Sequence, residues 1–539
     1  MTMSTSQPSW ESISTQARNN VSSLITDEFR IPPSLFPPDS LLDVTTFARE
    51  SGWLTPKELE ITASSATAIL RNVRERTWSA EEVARAFLRA AGAAHELTNC
   101  LTDFLPTEAL TTAKALDIHL STTGKPIGPL HGLPISLKDN FNIAGRDSTV
   151  GFVSKVGHPA SSNATLVDIL TSLGAVLYCK TNVPTAMMIA ETVNNTFGRT
   201  VNPLNRNLTS GGSSGGESAL IAFGASPLGV GTDIGGSLRI PAACTGIFTL
   251  RPSLGRFTTQ GCTSGMGGQE AVASVNGPMA RTLDDMKMYC EAVVGARPWE
   301  LDPKCVPIPW RDVERKEKLK IAVCWDDGVV RPTPPVARAL RETVEKLKGA
   351  GHEVVEWDSR LHARGLELLG RMFVADGGKS IRKALEPVGE PFRPEMSMYE
   401  SARELGTWEM WQLQLERWSY QKEFLDLWRG VGGLDAILGP TTPYATTEHG
   451  KLKYVGYTGV FNVVDYSAVS FPCGVTVDKD KDQPDPQYTP LSDHCRDVHD
   501  NYNADVVHGM PVSLQLIANR LEEEKVLSMT ETVLKAIHG

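Results

Sequence analysis

Two serine-glycine clusters, Gly211-Gly212-Ser213-Ser214-Gly215-Gly216 and Gly231-Thr232-Asp233-Ile234-Gly235-Gly236-Ser237, stand one short crossover apart in this chain. Between them residues 219–223 suit a buried helix and residues 227–230 a short strand. Apolar runs this short, alternating with helical patterns, read as strands covered on both faces and favour an α/β architecture. Glycine at this density lets the backbone turn sharply and expose its amides beside a bound or reacting group. Neither cluster ends in the Lys-Ser/Thr pair that a phosphate-binding loop requires, so a nucleotide site is not expected.

The same texture extends along the chain. Residues 132–137 predict a strand that delivers Lys138, and 164–173 a helix closed by Gly174 before the apolar run 175–178. Residues 319–325, 335–348 and 352–357 predict strand, helix and strand; with no structureless linker before them they continue one sheet rather than found a second domain. Residues 434–438 and 511–518 add further core strands. The first hundred residues read as helical. Trp10, Ile13, Ala17, Val21 and Leu24 recur at helical spacing over 9–26, and the polar face is not basic, so packing on the body is expected rather than membrane attachment. Thr55, Pro56 and Glu58 predict a capped helix running to about residue 72, and Ser79 with Glu82 repeats the capping pattern. The expected organisation is a helical N-terminal region, 1–100, packed on an α/β catalytic domain, 101–539. That domain carries a helical segment at about 359–428 and a polar surface insertion at about 477–503.

Of the 539 residues 41% are hydrophobic, enough for a large core, and a formal net charge of -10 argues against a general nucleic-acid surface. The nine cysteines show no close repeated spacing, which suits reduced thiols better than disulfides or a metal centre. Residues 1–39 lack a signal-type apolar core, and no run is long enough to span a bilayer. A cytoplasmic enzyme with no metal, no cofactor and no integral membrane segment is therefore expected.

A serine hydroxyl is a poor nucleophile at neutral pH and needs a base within hydrogen-bond reach and donors for the developing oxyanion. Lys138 can be that base if desolvation keeps part of it neutral; taken alone, it would more readily pair with Asp139 or another acid. Gly211-x-Ser213-x-Gly215 also fits a nucleophile elbow, with Ser213 attacking and His449 or His508 as base, although no clear strand precedes it. Cys179-Lys180 is a further rival, but Cys179 reads as a small core residue.

GLPISLKDN around Lys138, GGSSGGES and GVGTDIGGSLRIPA together resemble the amidase signature family, strongly over about 132–281 and more weakly over 509–523. The resemblance implies a mixed central β-sheet surrounded by helices, and a triad in which Ser237 is acylated, Ser213 bridges beside a cis peptide, and Lys138 is the base. It implies an oxyanion hole from the amides of Ile234, Gly235, Gly236 and Ser237, with Ser214, Thr232, Asp233 and Arg239 in support. The stretch after KTNVP nominates Met187 and Met188 for the substrate pocket, and the long segment 365–430, with Trp408, Trp411, Trp418 and Trp428, is a candidate channel wall. The pattern is closest in flavour to fungal-type acetamidases, general amidases and fatty-acid-amide-hydrolase-like enzymes. The expected reaction is hydrolysis of a carboxamide to the acid and ammonia or an amine. A long-chain acyl amide hydrolase, a transamidating amidotransferase subunit and an inactive binding protein on the same fold stand as alternatives. The expected partner is a small-molecule amide, with no nucleic acid; a homodimer stays open.

Overall fold

The computed structural model describes residues 8–539. Eleven strands form one sheet in the order Leu101–Phe104, Val176–Thr181, Pro134–Lys138, Leu228–Asp233, Val275–Ala280, Phe248–Arg251, Ala468–Thr476, Pro511–Ile517, Ala436–Pro440, Lys320–Val323, Glu353–Glu356. Pairing is parallel where Pro134–Lys138 lies between Val176–Thr181 and Leu228–Asp233, and again at the far edge where Lys320–Val323 lies between Ala436–Pro440 and Glu353–Glu356. The pairs between and outside these runs are antiparallel, which makes the α/β sheet mixed. The strand-helix-strand unit at 320–356 continues this sheet at its edge.

Burial on both faces explains the apolar runs. Every residue of Pro134–Lys138 and of Leu228–Asp233 is buried, with the short helix Gly215–Ala222 packed across them. Ser136 aligns with Gly229 and Leu137 with Val230, so Lys138 and Asp233 emerge at the same, carboxyl, end of two adjacent parallel strands. That end is where open α/β sheets bind ligands.

Helix Trp10–Leu24 buries Ala17 and Val21 against strand Leu101–Phe104. Thr55 and Ser79 both form the reciprocal capping box, with Glu58 and Glu82. The helix expected to run to about residue 72 is instead two, Pro56–Ala63 and Ala66–Arg74. The break falls at Ser64-Ser65, where the Ser65 hydroxyl accepts the Ala68 amide and starts a new helix; serine competes with the backbone in this way. The stretch 477–503 is not all loop: it carries helix Asp493–Asp500, and Asp482 within it pairs with Arg338 at 2.7 Å.

Candidate active site

Lys138 ends its strand fully buried, and its ammonium donates to Ser213 Oγ at 2.8 Å, Ser214 Oγ at 2.9 Å and Thr232 Oγ1 at 2.8 Å. Three hydroxyls satisfy a group that burial would otherwise leave unpaired. The Gly212–Ser213 peptide is cis, and a Cβ on Gly212 would stand 2.8 Å from the backbone of Ala190 and Glu191, so no larger residue fits there. The Ser214 amide donates to the Ser237 carbonyl at 3.2 Å and joins the two clusters. Ser237 is half-buried, whereas Ser213 and Ser214 are buried.

The loop between Asp233 and Ser237 is held from behind. Gly236 has φ +131°, and a Cβ there would collide with Thr458 and Ile240. Asp233 accepts the amides of Gly236 at 2.8 Å and Leu238 at 3.1 Å. It also pairs with Arg239, Nε to Oδ2 at 3.1 Å, and accepts from Asn462 at 2.8 Å. Arg239, fully buried, donates onward to Asn462 at 2.6 Å and Gln515 at 3.3 Å, which ties the loop to helix Gly456–Val464 and strand Pro511–Ile517. The amides of Ile234, Gly235 and Ser237 have no intrachain acceptor among the described residues.

Burial sets the electrostatics. It pulls the Lys138 amine down to about 7, against the opposing pull of Asp233, Glu217 and Asp139. Burial alone would raise the Asp233 carboxyl, but Arg239 overrides it and holds that carboxyl well below the usual range. Glu217, not singled out in the sequence, accepts from Ser136 Oγ at 2.6 Å and Thr181 Oγ1 at 2.9 Å. Its burial raises it to about 7, opposed by those two hydroxyls and by Lys138.

Ser237 lies where two cavities meet. One, of 590 Å³, is lined by Met187, Met188, Ile234, Ile240, Leu369 and Phe373, among others, with Glu191, Glu395 and His494 as polar groups. The other, of 500 Å³, includes Ser213, Thr232, Asn140 and Thr263; Met187, Met188, Ile234 and Ser237 border both. The helical segment contributes Leu366, Leu369, Phe373 and Met398 to the first cavity and none of its tryptophans. The segment 365–430 thus lines the cavity, but not through its tryptophans: Trp408, Trp411 and Trp418 lie exposed on the outer surface, and Trp428 is buried against Trp357 and Tyr466. Tryptophan content alone carries no information about which helix face turns inward. His494, which reaches the first cavity from the polar stretch 477–503, was also missed, because such a stretch gives no periodic signal that it folds back onto a site.

The rival arrangements do not assemble. A strand does precede Ser213, contrary to expectation, but Asn205–Thr209 belongs to a two-stranded ribbon with Val201–Asn202 outside the main sheet. His449 is bonded to the Arg206 carbonyl and His508 to the Lys479 amide. Cys179 is buried in strand Val176–Thr181, where burial pushes its thiol well above the ordinary range, and Lys180 is engaged by Ser148 at 2.8 Å.

Known proteins share this sequence and fold. A family model described as Amidase matches residues 82–527. An acetamidase of Aspergillus oryzae is 39% identical over 98% of this chain and 99% of its own length, and an acetamidase of Emericella nidulans 37% identical over 98% of each. A solved structure of fatty acid amide hydrolase superposes with a TM-score of 0.94 at 34% identity, covering 98% of this chain and 95% of that one. A family match over most of the chain, with full-length relatives at this level of identity, makes the protein a member of the amidase signature family and an amide hydrolase.

Proposed function

We propose that the protein hydrolyses linear carboxamides through an acyl-enzyme on Ser237, with Ser213 relaying protons to and from Lys138. The observation that carries this reading is a fully buried lysine, lowered to about 7, whose nitrogen is 2.8 Å from Ser213 Oγ in a cluster tied to Ser237. In the neutral form Lys138 accepts the Ser213 proton as Ser213 takes that of Ser237, and Ser237 Oγ bonds to the amide carbon. The carbonyl oxygen becomes an oxyanion for the free amides of Ile234, Gly235 and Ser237; Gly236, its own amide held by Asp233, shapes the turn. Collapse breaks the C–N bond as the relay returns the proton to the leaving nitrogen. Water then attacks the ester by the same path and releases the acid. Ser214 and Thr232 orient the lysine, and the Asp233–Arg239 pair fixes the loop.

Met187 and Met188 border the acyl cavity in this reading; methionine suits acyl groups of varied shape. The acetamidase relatives favour short aliphatic amides, and the apolar 590 Å³ cavity favours bulkier arylalkyl or longer acyl amides as a second substrate range. The enzyme acts alone, without tRNA or a glutaminase, and in the cytoplasm, which suits its nine free cysteines. No helix among the described residues is long and apolar enough to cross a membrane. The test is turnover of a carboxamide panel by the purified chain, with acid and ammonia or amine both quantified. Stoichiometric release of both supports the reading; activity only with a glutaminase partner and charged tRNA would replace it with transamidation.

A further inference from the structure

The turn that follows Lys138 is pinned along its backbone. Asp139 donates its amide to the Thr181 carbonyl at 3.0 Å, and its carboxylate accepts Thr102 Oγ1 at 2.8 Å and the Val150 amide at 2.6 Å. The Asn140 carbonyl accepts the Thr263 amide at 2.8 Å, and Phe141 bridges to Cys262. The Asn140 side chain stands outside this bonding. It is 3% exposed, no hydrogen bond ties its carboxamide to the described residues, and Oδ1 is among the buried polar atoms left without a partner. A buried amide in that state costs stability until something pairs with it. Asn142, two residues on, shows the ordinary outcome: its Oδ1 accepts from Thr263 Oγ1 at 2.8 Å.

Asn140 borders the second of the two cavities that meet at Ser237. The buried polar side chains on that cavity are Ser213, Thr232 and Asn140, and Lys138 holds the hydroxyls of the first two at 2.8 Å each. The carboxamide of Asn140 is therefore the buried polar group there that the chain does not engage. Ser213 borders this cavity and not the first, which opens onto Gly212 and Ser237. A nitrogen that Ser213 protonates thus leaves on this side, with the acyl group on the other.

We propose that Asn140 holds the leaving nitrogen: its Oδ1 accepts an N–H of the scissile amide and keeps the nitrogen lone pair turned to Ser213. This rests on the Ser237–Ser213–Lys138 reading above. A half-turn about χ2 exchanges Oδ1 and Nδ2 and breaks no bond within the chain, so the acceptor can face the cavity. During acylation Ser237 Oγ bonds to the carbonyl carbon, the C–N bond breaks and the nitrogen takes its proton from Ser213; Asn140 transfers none and fixes the direction of that transfer. In deacylation the attacking water gives one proton to Ser213 and donates its other O–H to the same oxygen. The contact selects amides that carry an N–H over N,N-disubstituted ones, because a substrate without the N–H leaves the buried acceptor unpaired.

Single-turnover release of p-nitroaniline from the p-nitroanilide of phenylacetic acid, set beside release from its N-methyl counterpart, tests this in the full chain. Both substrates leave the same acyl group on the enzyme, and both leaving nitrogens need the Ser213 proton; they differ in the N–H. Asn140→Leu keeps the branched outline of the side chain without its polar atoms. It should slow the N–H substrate ~10–100-fold and the N-methyl substrate less than ~3-fold, and melt no lower than wild type, since it forfeits no bond within the chain. Asn140→Ala, which adds no bulk, should show the same split. A relay disturbed through Lys138 or Ser213 would slow both substrates alike. Equal losses on the two substrates, no loss on either, or a clearly lowered melting temperature in both variants would overturn the proposal, the last by making the carboxamide a structural partner. Acid-quenched wild type separates this outcome from the reading beneath it: an acyl ester on Ser237 leaves that reading standing whatever Asn140 does, and its absence removes both.

Discussion

If neutral Lys138 is the base, the rate of acylation follows the fraction of Lys138 without its proton. With the amine lowered to about 7, that fraction is about a tenth at pH 6 and about nine tenths at pH 8, so acylation climbs about tenfold across that window and then levels. A lysine at its ordinary value would keep the rate climbing about tenfold per pH unit beyond pH 9. Single-turnover release of a chromogenic amine isolates acylation from deacylation. Lys138→Arg keeps the charge but cannot give up its proton, and should lower the acylation rate by ~10²–10⁴-fold. Stability offers a second reading of the same group. Between about pH 7 and 10.5 the unfolded chain binds one more proton than the folded one, so wild-type stability rises with pH through that window. Lys138→Met removes this slope, so wild type should gain on it by up to about 5 kcal/mol between about pH 6 and pH 10.5, whatever their offset at one pH. A profile that rises without levelling, or near-wild-type acylation by folded Lys138→Arg, refutes the lysine-base reasoning.

Glu217 adds its negative charge to the field that favours protonated Lys138. Glu217→Gln keeps the shape of the Ser136 and Thr181 contacts and should move the acylation midpoint to lower pH; an unmoved or raised midpoint in the pH–rate profile contradicts this coupling. Leu369→Trp fills part of the 590 Å³ cavity. It should lower kcat/KM for a phenylacyl amide at least ~10-fold and for acetamide by less than ~3-fold, and equal losses on both would show that the cavity does not hold the acyl group.

Much of the fold was legible because its parts are local. Buried parallel strands such as Pro134–Lys138 must be apolar throughout, and the caps at Thr55 and Ser79 need only residues three apart. Lys138, Ser213 and Ser237 could be nominated together only through the resemblance to a family, since 75 residues separate the first two and no periodicity links them. What stayed hidden depended on long-range packing. Glu217 looks like an ordinary first-turn acid until Ser136 and Thr181 close over it. Asn462 and Gln515 become supports of the Asp233 loop only when distant segments meet, and tryptophan content did not tell that Trp408, Trp411 and Trp418 face outward while Trp428 is buried.

The central claim, that the acyl group is carried by Ser237, is tested most directly by trapping the intermediate. Enzyme quenched in acid during turnover of a slowly deacylated amide is digested and the modified peptide sequenced by mass spectrometry. The account predicts an acyl ester on Ser237, and no adduct in the Ser237→Ala protein, which should melt as wild type does. An ester on Ser213, or a thioester on Cys179, with Ser237 unmodified would contradict it.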